Sequence, residues 1–383
     1  MQLIVLLLTP VILTNAADLN SLVPGNVAFS GNMYYYVKHR QQQGPYLLAP
    51  FSVQAVMGLT ESGAKYVTAL EIRDIVFYIH NTDDIEEAME DALSTIPATI
   101  TTTMFSDPAV AITDQFKEIE CTSYLGTLKN MEFVDAEVAA SNLNDWVDEQ
   151  SNNHLHSSFS STDFNDTTAS VIVNTLLMKS TWANPFPADR TVLSNYTYYS
   201  DSTSKPVTGS VYMMTQEPLL YNYFESTEFD ATFLEVPFDD PDTTLTIVLP
   251  NAWNGLPNLE SSISKVITAP KYIQRPVQFS FPRIETLDGP WSLKQTLQDN
   301  FAIRLAFSNT ADFSGIAGYP GDLVVNDVLQ SAFIGFNEDG FEAASEAATT
   351  IQSFPARTFE VNHPFLFYIK YKGMVLFVGR FIY

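Results

Sequence analysis

The chain has 383 residues, 46% of them hydrophobic and 16% charged: enough apolar material for a large core, and too much for a disordered protein. Its 19 basic and 44 acidic residues give a net charge of −25, a surface that repels nucleic acid, anionic lipid and heparin-like polyanions. The only cysteine, Cys121, excludes an intrachain disulfide and, as a small hydrophobe, is expected in the core.

Residues 1–16 read as a secretory signal. The apolar run from Leu3 to Leu13 is too short to span a bilayer, and Thr14-Asn15-Ala16 offers small residues at the −3 and −1 positions before Ala17. No other segment is apolar enough to cross a membrane, so residues 17–383 are expected to be a secreted, extracellular chain. The first third carries helical periodicity. A helix begun near Val27 continues through Asn32 to Lys38. Ser52 is placed to cap a helix whose apolar face is Val53, Val56, Met57 and Thr60. Thr68-Ala69-Leu70-Glu71 has the form of a capping box, ahead of Ile72, Ile75, Val76 and Ile79 at i, i+3, i+4 and i+7. The acidic run from Asp83 to Asp91 is a solvated helix face, with Ile85, Met89 and Leu93 inward. Asn165-Asp166-Thr167 and Asn195-Tyr196-Thr197 are glycosylation sequons, expected on surface loops.

Strands take over from about residue 170. Ala169 to Met178 is a nearly continuous apolar run, as a buried central strand requires. Phe233–Phe238 and Thr243–Leu249 form a hairpin around Asp239-Asp240-Pro241-Asp242, and Gln278–Ile284 is a further strand. After a helix near Ser292–Asn300, Phe365–Tyr371 and Met374–Val378 make a last hairpin across Lys372-Gly373. Helices and strands mix without βαβ regularity, which predicts one α+β domain with large, mostly antiparallel sheets.

Nothing in the sequence builds an active site. G-x-S-x-G, G-x-x-x-x-G-K-[ST] and H-E-x-x-H are all missing. His154 and His156 lie two apart but in a polar loop context, so no metal is assigned to them, and no cofactor is expected. The unusual segment follows the turn signal Asn337-Glu338-Asp339-Gly340. From Phe341 to Ser353, period two puts Phe341, Ala343, Ser345, Ala347, Thr349 and Ile351 on one face. Glu342, Ala344, Glu346 and Ala348 fall on the other. A simple surface loop or a short helix would account for it, but so would a strand exposed in one state and buried in another.

The whole chain resembles the serpin family. Asn337-Glu338-Asp339-Gly340-Phe341-Glu342-Ala343-Ala344 is similar to that family's N-E-E-G-T-E-A-A hinge. In family order stand Leu48-Ala49-Pro50-Phe51-Ser52, Asn144-Asp145-Trp146-Val147, Asn174 through Lys179 to Trp182 and Pro185-Phe186, and Val211-Tyr212-Met213-Met214. Ala311-Asp312-Phe313-Ser314-Gly315-Ile316, His363-Pro364-Phe365 and Phe377-Val378-Gly379-Arg380 complete the series. The resemblance implies one domain over 17–383, with three mostly antiparallel β-sheets, about nine helices and a hinge and reactive-centre loop over 337–363. It implies a protease inhibitor rather than an enzyme, a monomer partnered by its target protease. The loop after Gly340 is bait that inserts into the main sheet once cut, as serpin loops do. It also implies a sheet-opening region at Ser52, Asn174, Trp182 and Gln330, where Ala49 and Gln330 replace the family's Ser and His. Gln330 is expected to keep hydrogen bonding there.

Two departures bear on function. Phe341 stands where the family has Thr or Ser, and its bulk would slow insertion. Only 23 residues separate Gly340 from Pro364. Counting from the hinge puts the bait bond near Phe354-Pro355, where proline blocks most serine proteases. Arg357-Thr358 suits a trypsin-like protease, and Gln352-Ser353, with Ile351 before it, suits a papain-like cysteine protease. The balance leans toward a cysteine protease. A non-inhibitory serpin with a carrier, storage or chaperone role is the alternative.

Overall fold

Fifteen strands and nine α-helices lie among the residues that the computed structural model describes, which are 17–40, 44–77, 82–151, 159–164, 168–178, 180–199, 205–340 and 356–383. The largest sheet has ten strands. Its order is β1 (Tyr46–Leu48), β15 (Met374–Phe381), β14 (Phe365–Tyr371), β9 (Thr243–Pro250), β8 (Ala231–Pro237), β7 (Leu219–Ser226), β10 (Ile273–Pro282), β6 (Pro206–Thr215) and β5 (Thr191–Tyr199), with β13 (Arg357–Glu360) also on β10. A second sheet runs β3 (Thr127–Asn130), β2 (Ala98–Ser106), β4 (Ser170–Met178), and a third pairs β11 (Ile284–Ser292) with β12 (Leu329–Phe336). Pairing is antiparallel except at β10–β13 and β2–β3. Both expected hairpins are present, as β8–β9 and β14–β15. The strand expected over 278–284 is instead divided between two sheets at Arg283, whose N–H still donates to Tyr212 O at 2.8 Å.

Helix α1 (Leu19–Arg40) and helix α2 (Pro50–Ser62) underlie the sheets. Ser52 does not cap α2. Ala49 holds that place, and Pro50, with its fixed φ, opens the helix. Nor does α2 have a single apolar face, since all 13 of its residues are buried. The capping box is also corrected: the N-cap of α3 (Tyr66–Val76) is Lys65, three residues before Thr68. Thr68 Oγ1 instead accepts the Asp312 N–H at 3.0 Å, and the Glu71 carboxylate accepts the N–H groups of Arg304 and Leu305 at 2.9 and 2.7 Å. On α4 (Thr82–Thr95), Ile85, Met89 and Leu93 are buried as expected.

Cys121 is exposed, against expectation, while its neighbour Glu120 is buried. Both lie on α5 (Asp114–Thr122), whose inward face is set by Phe116 and hence by Glu120 one turn later; position overrides side-chain preference. The Met104 N–H reaches Glu120 at 3.3 Å, a weak bond, and burial pushes the carboxyl up to about 7. The folded chain therefore binds more protons than the unfolded one between about pH 4.5 and 7, and stability falls as pH rises through that window. Glu120→Gln should flatten this decline and stabilise the fold at pH 8. Thermal unfolding across that pH range checks it.

Candidate functional site

β4 and β12 each have one neighbour in their own sheet, and they lie side by side with no ladder joining them among the described residues. Each turns a row of N–H and C=O groups toward the other. A strand added between them would satisfy both rows and fuse the two sheets. The slot is covered on both faces. Below β4 lies α2. Above, α6 (Ala136–Gln150) packs Leu143, Trp146 and Val147 in one cluster with Phe105 of β2, Val173 of β4 and Phe333 of β12. This burial on both sides is why β4 reads as an unbroken apolar run.

At the head of the slot the chain leaves β12 in the turn Asn337–Gly340. Asn337 Oδ1 accepts the N–H groups of Asp339 and Gly340 at 2.9 and 3.0 Å, which is what an Asn does best in a turn. The turn is tied to the residues that follow β4. The Trp182 N–H donates to Asp339 O at 2.9 Å and the Phe186 N–H to Glu338 O at 2.8 Å, while Gly340 bridges to Thr181. Gly340 has φ +129°, and a Cβ there would stand 2.5 Å from Ser180 O, so only glycine fits. Glu338 accepts from Thr191 Oγ1 at 2.7 Å and faces the Arg283 guanidinium at 3.8 Å. Trp182 is buried between Phe238 and Phe336, with ring centroids at 4.9 and 5.8 Å, and its Nε1–H donates to Asn337 O at 2.9 Å.

The sheet-opening residues separate into two places. Trp182 belongs to the head of the slot. Midway along it, Ser52 Oγ donates to Asn174 Oδ1 at 2.5 Å, and Asn174 Nδ2 donates to Thr102 Oγ1 at 2.8 Å, joining α2, β4 and β2. Gln330, on β12 and 2% exposed, is not part of this chain of bonds: among the described residues, neither end of its amide meets a protein partner. The expectation that glutamine would bond there is corrected, because its amide is held where no donor or acceptor reaches it. A buried, unsatisfied amide costs roughly 1–3 kcal/mol. Gln330→Met, close in shape and apolar, should raise stability by about 2 kcal/mol and the unfolding temperature by about 2 °C, measured by calorimetry.

Several expected residues lie outside the described ones: Phe341, Glu342, Ala343 and Ala344 of the hinge, the bait candidates Gln352, Ser353, Phe354 and Pro355, and Asn165, His154 and His156. Arg357 and Thr358 are described, and they open β13, paired to Val277 and Gln278 of β10. A protease takes its substrate as a free extended segment, so it could reach that bond only by stripping β13 from its neighbour. Asn195 sits on the edge strand β5 rather than on a loop, with its side chain exposed. Among the described residues no group of three metal-binding side chains converges, and no helix is long and apolar enough to cross a membrane. Sequence reading missed Thr102, Thr191, Phe238 and Arg283, which meet the site only through tertiary packing and carry no local signal.

Comparison with known proteins bears on the same features. The family model described as "Serpin (serine protease inhibitor)" matches residues 24–383. The leukocyte elastase inhibitor of Xenopus tropicalis is 26% identical over 372 residues, covering 92% of this chain and 97% of that protein. Antichymotrypsin-2 of Bombyx mori is 29% identical over 277 residues, covering 70% and 72%. Among solved structures, Serpin48, described as a highly specific serpin of the insect Tenebrio molitor, superposes with a TM-score of 0.85 at 30% identity, covering 94% of this chain and 98% of that one. With the hinge turn, the open slot and a family match over nearly its whole length, the chain belongs to the serpin family.

Proposed function

We propose that the chain is an exported inhibitor that traps a protease with bait lying between Gly340 and Ala356. The observation that carries this reading is the pair of open strand edges on β4 and β12, with the hinge turn fastened at their head. Attack on the bait joins its carbonyl carbon to the protease nucleophile and frees the loop from β13. The loop then enters the slot from Gly340, with Ala343, Ser345, Ala347 and Thr349 inward and Glu342 and Glu346 toward solvent. The attached protease is carried along and distorted before it can hydrolyse the ester. One molecule is consumed per protease, so the chain is a partner of enzymes and not itself one.

The target is a serine protease or a papain-like cysteine protease. Relatives named as inhibitors of chymotrypsin, elastase and trypsin favour the first. Ile351-Gln352-Ser353 favours the second, and the pairing of Arg357 in β13 weakens the trypsin-like bond. A non-inhibitory role is favoured by one observation, the bulk of Phe341 at the first inward position. Incubation with trypsin-like, chymotrypsin-like and papain-like proteases decides among these. Lost activity of one of them, a complex that survives a denaturing gel, and a cut between Ile351 and Ala356 are expected. Cleavage of the chain with every protease left active would overturn inhibition.

A further inference from the structure

Beside the free edge of β5 is a polar basin of about 490 Å³ that the inhibitory mechanism does not use. One wall is β5 itself, through Leu193, Asn195 and Thr197; the other holds Trp253, Glu360 and Asn362. We infer that this basin seats the first sugars of a glycan carried on Asn195.

Four observations converge on this. Asn195 is the acceptor of an N-x-T sequon, and its exposed amide makes no hydrogen bond to a described residue. Trp253 is 50% exposed, a broad aromatic face of the kind on which the C–H side of a sugar ring rests. Glu360 supplies a carboxylate for sugar hydroxyls, and Asn362, whose Oδ1 is already paired with His363 Nδ1 at 2.9 Å, supplies its amide Nδ2–H. The edge strand supplies more. The Thr197 N–H donates to Asn362 O at 2.9 Å, away from β6, so by strand alternation the N–H and C=O of Asn195 face the same side. The basin falls within the roughly 300–1,000 Å³ that holds a drug-sized ligand, room for one or two sugar rings.

The seat would have a mechanical effect. Glu360 ends β13, the strand to which the far side of the bait is attached. A seated glycan ties this anchor to β5 and covers a strand edge that would otherwise be open to another chain.

The inference rests on the proposed export of the chain, and its test separates the two. The full-length protein is made in a secreting eukaryotic host and its glycopeptides are measured. Occupancy at both Asn165 and Asn195 is expected. Native protein is then treated with peptide:N-glycosidase. The Asn195 glycan should leave roughly fivefold faster from Trp253→Ala than from the parent, while Trp253→Phe restores the slow release and the Asn165 rate stays constant. Asn165 filled with Asn195 empty overturns the seat alone. Both sites empty overturns export and the seat together. Equal release from parent and Trp253→Ala, with unfolding temperatures alike, overturns the seat while leaving the modification in place.

Discussion

A single cut between Gly340 and Ala356 is expected to raise the unfolding temperature by roughly 10 °C or more. β4 offers nine residues and β12 eight, each with one edge unpaired in its own sheet. An inserted strand would make around a dozen backbone bonds at about 1 kcal/mol each, on the order of 10 kcal/mol in all. A chain of this length gains about 1 °C for each kcal/mol. Calorimetry of intact and nicked protein measures the difference directly. An unchanged transition would mean that the slot does not accept the loop, which is the behaviour of a non-inhibitory serpin. An intermediate rise would locate the obstacle near Phe341, and Phe341→Thr should then recover the full shift.

Trp182→Ala should be the most damaging single change at the head of the slot. Removing a buried tryptophan costs about 3–5 kcal/mol. Here it also frees Asn337 O and opens a void between Phe238 and Phe336. The unfolding temperature should drop by about 5 °C. The hinge turn, tied to Trp182 through backbone and side chain alike, should loosen as well. Self-association after mild heating should follow, because loose loops find open edges in other molecules. Trp182→Phe keeps an aromatic ring in the stack but gives up the Nε1–H and part of the indole volume, at about 2 kcal/mol. Unfolding curves and size-exclusion after heating distinguish the two variants. If Trp182→Ala matched the parent in both, the head of the slot would not depend on this ring.

The hinge was legible in the sequence because its demands are local. Asn337 closes a turn onto its own neighbours, and Gly340 is required by a close approach and a positive φ. The hairpins and β4 were legible for the same reason, through turn residues and apolar runs. Where one residue serves a distant segment, the local pattern misled. Thr68 and Glu71 have capping-box spacing but bond to residues more than 200 positions away. Ser52 has the chemistry of a cap yet sits inside a wholly buried helix, aimed at Asn174. Cys121 is exposed rather than buried because the helix, not the side chain, sets which face is inward. Gln330 shows the limit most clearly: glutamine can bond, but only the packed structure shows that nothing meets it.

The ladder at one end of the largest sheet also governs how this protein is made. β1 has β15 as its ladder partner, the Arg380 Nε–H donates to Gly44 O across 336 positions, and the Asn26 side chain bonds to Val375 across 349. A ribosome adding about 5–20 residues each second needs on the order of half a minute to pass from the first of these partners to the second. The early helices and β1 must wait through that interval without the strands that complete them. Closure of the core is therefore a late event that follows synthesis of nearly the whole chain. Contacts of such separation also make for slow folding. A nascent chain held in this waiting state is the form most in need of a chaperone.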